Sequence, residues 1–264
     1  MVKRLNGLWV FMVSLIFLPT FVFPQGIYAQ NTDAPEQFLN PPENINPDPN
    51  YVPGDYALPD LSGALSFFAT ARKRLDEMEI QKGDKLFRLK RAGEIRVTVT
   101  KNQTIPVLAY FHEFDGYILF RQGVFSETKL IISLNSWDTA VPGRDNRVRA
   151  LLFESMLPEK AIATLHLTHI GSDLIELDKL KDQSPLTVEV SGVLAIGGIV
   201  KPVRPMIEID WGHGKWKVKQ AKPLEILISD FGFGEKALTL MKACNHKSIS
   251  NKISIEWELE FQKE

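Results

Sequence analysis

The segment Lys252-Ile-Ser-Ile-Glu-Trp-Glu-Leu-Glu-Phe-Gln262 alternates without a break. Ile253, Ile255, Trp257, Leu259 and Phe261 fall on one side, and polar or charged residues fall on the other. A period of two is the period of a strand, and an apolar face opposite a polar one describes a half-buried antiparallel strand. The same pattern recurs along the chain. Ile95, Val97 and Val99 alternate within 95–101, and Leu165 and Leu167 sit between Thr164, His166 and Thr168. Val188 and Val190 repeat it, as do Trp216 and Val218 among Lys215, Lys217 and Lys219. Further strands are predicted at 85–91, 106–121, 129–135, 199–211 and 224–230. Gly212-His213-Gly214, between Trp211 and Trp216, has the chemistry of a hairpin turn. Pro202 cannot donate to a ladder, so Lys201-Pro202 predicts a strand edge or a bulge.

Eight or more such strands each need one face hidden, and no run of βαβ units is present. A closed antiparallel barrel or a two-sheet sandwich meets that need, and the length of the strands favours the barrel, of about eight strands. Two helical interruptions are expected at 145–156 and 234–244, as short lids or plugs at the barrel ends. Asp145 suits the N-cap of the first. Ahead of the strands, Leu61, Leu65, Phe68, Leu75 and Met78 recur at helical spacing after a capping Ser62. This predicts an extra N-terminal amphipathic helix over 61–82. That helix either packs on its own domain or offers a membrane or partner surface.

The first 60 residues differ from the rest. Met1-Val-Lys-Arg is followed by a mostly apolar run over 8–23, then Pro24 and Ala29, the layout of a secretory signal peptide over 1–29. Such a run is short for about 30 Å of hydrocarbon, so cleavage after Ala29 is expected, with an uncleaved membrane anchor as the alternative. No cysteine lies near the cut, which excludes a lipoprotein. Residues 30–60 carry seven of the 16 prolines and few aliphatic side chains, and are expected to form a disordered tether. The barrel domain then spans 83–264. Lys+Arg 31 against Asp+Glu 32 gives a net charge of −1. That balance lacks the basic face nucleic acid requires. The single Cys244 excludes an internal disulfide and a multi-cysteine zinc site. An exported chain without a disulfide points to a bacterial periplasm.

Three segments resemble one family. Ser136-Trp-Asp-Thr-Ala-Val-Pro-Gly-Arg-Asp-Asn-Arg-Val148 is similar to the S-x-D-T-x-x-x-x-R-D-x-H-L stretch of the YceI family of periplasmic lipid-binding proteins. Gly198-Ile-Val-Lys-Pro-Val203 is similar to its H-G-V-T-K-P-V, and Ile228-Ser-Asp-Phe-Gly232 to its R-S-D-F-G. The three occur in family order over roughly 83–262. The resemblance implies a lipocalin-like barrel that holds a long isoprenoid or quinone-like amphiphilic lipid. Two family histidines are replaced here, by Gly197 and by Arg147, and the family's opening aspartate-proline-histidine segment is absent.

A barrel of about eight strands either fills with its own side chains or holds one small ligand. The candidate lining is Phe111, Phe120, Trp137, Phe153, Leu165, Leu167, Trp216 and Trp257. Large rings suit a tunnel for a prenyl chain and suit a plug equally well. Arg144 and Arg147 are the head-group candidates. In the alternative reading Arg144 joins Asp138 and Asp145 in a structural knot that holds the loop. No catalytic residue, metal site or cofactor is expected. His112-Glu113 opens like a zinc motif, but Gly116 stands at the second histidine position. A lipid carrier with the barrel as its site is the leading expectation. An envelope interaction module with a filled barrel, working through the 61–80 helix, is the alternative.

Overall fold

The computed structural model of the chain describes residues 38–39, 62–171 and 175–264, all within one unit, Pro35–Glu264. The expected signal peptide, and the tether apart from two residues, lie outside the described residues. Those two form β1 (Phe38–Leu39), and α1 (Ser62–Asp76) follows. Then come β2 (Lys85–Lys101), β3 (Ile105–Phe111), β4 (Phe114–Arg121), β5 (Val124–Ser133) and β6 (Trp137–Asp138). A short helix α2 (Pro142–Arg147) runs directly into a wider turn over Val148–Phe153. Next are β7 (Ile162–Ile170), α3 (Leu177–Asp182), β8 (Leu186–Ile196), β9 (Ile199–Val203), β10 (Met206–Gly212) and β11 (Lys215–Gln220). The chain ends with β12 (Leu224–Leu227), a 3-10 turn over Ile228–Phe231, α4 (Gly234–Ala243), β13 (Ile249–Ser250) and β14 (Lys252–Lys263).

Eight strands close on themselves in the order β2-β4-β5-β7-β8-β10-β11-β14, and β14 returns to β2. Every pairing around this ring is antiparallel. Closure leaves no free edge in the ring, as the alternation requires. The tight turn between β10 and β11 places His213 and Gly214 at φ 53° and 77°, the two left-handed positions of a primed hairpin turn.

The segments 85–91 and 95–101 turn out to be one strand. Its register with β14 slips between Leu89 and Gly93, so a bulge bends β2 in the middle. Below the bulge Lys85–Arg88 pair with β4, and above it Ile95–Lys101 pair with β3. β8 and β14 divide in the same way. The far part of β8 takes β9 as a partner, and that of β14 takes β12. One end of the barrel is therefore a tight eight-strand ring, while the other flares into short added strands. Pro202 lies in β9, which among the described residues pairs with β8 alone, so its missing donor costs no ladder bond there.

The helix predicted over 61–82 ends at Asp76. Its apolar side, with Phe68, Ala71 and Leu75, packs on the outer barrel wall against Leu86, Tyr117, Leu119 and Ile131. Arg72 pairs with Asp115 at 2.6 Å, and Arg88 donates to the carbonyl of Leu75 at 3.2 Å. The described apolar side chains of this helix thus pack on its own domain. The 145–156 helix is corrected: it begins at Pro142 and converts to a π-type turn at Val148. Val141, and not Asp145, stands at its N-cap. The helix α3 was not anticipated from the sequence.

Candidate functional site

The barrel interior divides into two chambers. The inner one, at the tight end, is almost filled, with about 40 Å³ left among Phe120, Leu165, Leu167, Trp216 and Trp257. Beside it Phe87 meets Phe120 at 5.8 Å, Trp211 at 5.9 Å and Trp216 at 6.1 Å between ring centroids. These edge-on contacts are the preferred geometry of packed rings. The helix α3 seals this end: Leu177 and Leu180 enter the core, and the Lys181 ammonium lies 5.0 Å above the Trp211 ring.

The outer chamber, at the flared end, holds about 140 Å³. Its walls come from the inward faces of β2, β8 and β14, with Val97, Leu194 and Ile255. Its roof is a chain of rings: Phe111–Trp137 at 5.5 Å, Trp137–Phe153 at 5.5 Å and Phe153–Phe233 at 6.0 Å. The helix α4 completes the roof with Ala237 and Leu240, and Cys244 follows just past its end. The π-type turn places Val148, Leu152 and Phe153 on the lining; such turns recur at functional sites. A single carboxylate latches the roof. Glu154, at the end of that turn, accepts from Lys236 of α4 at 2.7 Å and also from Lys160. These two bonds hold the Glu154 carboxyl below the ordinary carboxylate range.

The polar part of the lining is small: Lys101, Thr139, Arg144 and His246. Thr139 fixes Arg144, accepting Nε on its hydroxyl at 2.7 Å and Nη2 on its carbonyl at 3.0 Å. The buried Asp145 carboxylate accepts from the Thr139 amide at 3.1 Å and from its hydroxyl. The knot expected among Asp138, Arg144 and Asp145 thus centres on Thr139, a residue the sequence did not single out. Asp138 serves its own turn, accepting from the Ala140 amide at 2.7 Å and pairing with His112 at 2.9 Å. Burial pushes the His246 imidazole below its usual value, with help from Lys101, Arg144 and Arg147.

The candidate residues separate cleanly between the chambers. Phe111, Trp137 and Phe153 line the outer one, and Phe120, Leu165, Leu167, Trp216 and Trp257 line the inner one. Arg144 reaches the outer chamber, whereas Arg147 lines neither chamber and has a buried Nε with no hydrogen-bond partner among the described residues. Sequence reasoning passed over Lys101, His246, Phe233 and Leu240. Lys101 looks like a polar strand end, and His246 lies in a turn with no periodicity to assign it a face.

A family model described as a YceI-like domain matches residues 89–261, which span nearly the whole barrel. The chain belongs to the YceI-like family. No curated protein matches it. Among solved structures, it is similar to a polyisoprenoid binding domain from Saccharophagus degradans implicated in plant cell wall breakdown. Identity is 20%, coverage is 67% of this chain and 97% of that one, and the TM-score is 0.59. It also resembles BcnA of Burkholderia cenocepacia, with 16% identity, 63% and 95% coverage and a TM-score of 0.48. The YCEI protein of Campylobacter jejuni gives 22%, 62% and 89%, and 0.45. At such identities the first of these likenesses establishes a shared fold, and the YceI-like barrel is the frame on which the outer chamber is built.

Proposed function

We propose that this YceI-like protein is a periplasmic binding or carrier protein for an amphiphilic lipid of the polyisoprenoid class, such as a quinone or prenyl derivative. The apolar chain occupies the outer chamber, and the protein binds its ligand without chemistry. The observation that carries this reading is the outer chamber itself, a carbon-lined space under a latched helical roof at one end of a closed barrel. The family membership and the polyisoprenoid binding domain with the same fold support it. Each buried CH2 contributes about 0.8 kcal/mol, so even a modest tail binds usefully. A cavity of about 140 Å³ matches one apolar ring in size. Seating a long chain therefore requires the roof to swing outward. The alternative, a module working through the 61–80 helix, finds that helix's apolar side already packed on the barrel.

Native mass spectrometry of the full chain purified from an exporting bacterium tests this reading. A co-purifying mass that disappears on organic extraction is expected, together with a periplasmic location and uptake of a fluorescent long-chain ligand. Neither a bound mass nor uptake would overturn it.

A further inference from the structure

The outer chamber restricts both which part of a ligand it takes and how much of it. Its surface is wholly apolar. A hydroxyl, carbonyl or charged group placed inside would lose its water and find no partner, so the hydrocarbon end enters and the head group stays outside. The depth open to that end is set by the step from one chamber to the next. Side chains that face the barrel interior follow at every second residue of a strand. On β5 Ile132 lines the outer chamber and Leu130 the inner one; on β7 the pair is Ala163 and Leu165, and on β14 it is Ile255 and Trp257. The two spaces are thus separated by no more than one layer of side chains.

Two members of that layer stand on the boundary itself. Trp257, which lines the inner chamber, lies opposite Ile95 of the outer one in the ladder between β14 and β2. Leu165 of the inner chamber lies opposite Leu194 of the outer one. Trp257 also differs from the rings that plug the tight end. Phe120 and Trp216 are held by ring contacts with Phe87 and with each other, whereas Trp257 makes no ring contact among the described residues. Its indole is nonetheless buried in the core. Beyond it about 40 Å³ remains, less than a third of the 140 Å³ on the outer side, too little for another ring-sized group. We propose that Trp257, backed by Leu165, is the floor of the ligand site and the residue that sets how long a hydrocarbon end the protein accepts. That end matches one ring, or about six carbons, and the ligand is an amphiphile read by its apolar terminus. The roof governs entry and the floor governs depth. This rests on the lipid-binding reading and deepens it.

The test is displacement of a neutral naphthylamine probe from the full-length protein by straight-chain alcohols from butanol to tetradecanol. Affinity should rise about fourfold per CH2 until the chain end meets the floor, and then level off. Trp257→Ala joins the two chambers and should move that limit to longer chains, with a smaller shift in Trp257→Phe. Ala163→Leu adds a side chain beside the open space, one step above Leu165, and should move the limit to shorter chains. Should Trp257→Ala fail to fold, as cooperative urea unfolding reveals, the other two variants carry the test. Decanediol, with a hydroxyl at both ends, should bind at least tenfold more weakly than decanol, because its inner hydroxyl finds no partner. A rise without a limit in the parent protein, a limit unmoved in folded Trp257→Phe and Ala163→Leu, or equal binding of decanediol and decanol would overturn the proposal and leave the lipid-binding reading intact. Failure of every alcohol and of the probe to bind would remove both.

Discussion

At Glu154 one carboxylate receives two lysines from different elements, and the contact fastens the roof of the outer chamber. Its carboxyl is held down first by the bonds from Lys160 and Lys236. A depressed carboxyl contributes its stability in full above the unfolded-state value and loses it as pH falls through the folded one. The latch is therefore intact at neutral pH and releases only in acid. Hydrogen-exchange protection of 234–243 should fall on acidification, and Glu154→Gln should remove that dependence and speed ligand exchange at neutral pH. Protection that follows the same pH course in the variant would rule the latch out. A second residue, Gly192, shows how little space the ladder leaves. A Cβ built there would sit 2.1 Å from the His166 carbonyl oxygen and 2.6 Å from the Leu167 Cα, both backbone atoms. The neighbouring strand cannot yield as a side chain would, so Gly192→Ala should cost about 3 kcal/mol in urea unfolding. An unchanged midpoint would contradict this.

At the scale of elements, α1 is a strut and its contribution is local. Leu75 is only 4% exposed and sits against Leu86 and Leu119 on the outside of the barrel. Leu75→Ala should lower stability by about 2–4 kcal/mol and leave ligand affinity unchanged, because no residue of α1 lines either chamber. A loss of uptake on this substitution would restore the helix as a working surface. Period-two alternation disclosed the strands, because side-chain facing depends only on position in the chain. It could not disclose that 85–91 and 95–101 join, since a bulge resets the facing between them. Nor did it separate 106–121 into β3 and β4, or 199–211 into β9 and β10. The helix α3 escaped because six residues hold too few turns to show a period.

For the whole molecule, the decisive feature is the division of labour between the two ends of one barrel. The tight end is packed with rings and sealed by α3, so it stabilises the fold; the flared end is roofed by short helices and turns and holds the larger space. Phe120→Ala should cost about 3–5 kcal/mol of unfolding free energy while leaving ligand affinity nearly unchanged. Phe153→Ala should weaken ligand binding, because its ring touches Phe111, Trp137 and Phe233 around the outer chamber. Paired denaturation and displacement titrations separate these effects. If the Phe120 variant alone lost binding, the inner chamber would have to be the site.

Alternation and turn chemistry, both properties of neighbours along the chain, were enough to determine an antiparallel all-β fold, with strand length favouring a barrel over a sandwich, and to place its helices near 61, 145 and 234. The three motif segments around Arg144, Pro202 and Phe231 added the family. Tertiary structure alone decided which aromatic residues plug and which surround a space, because Phe120 and Phe153 are alike as sequence and differ only in which end of the barrel their strand or turn reaches. It also decided that Lys101, Arg144 and His246, over a hundred residues apart at the extremes, share one apolar chamber. Such a convergence is set by strand register and closure, which no local pattern encodes.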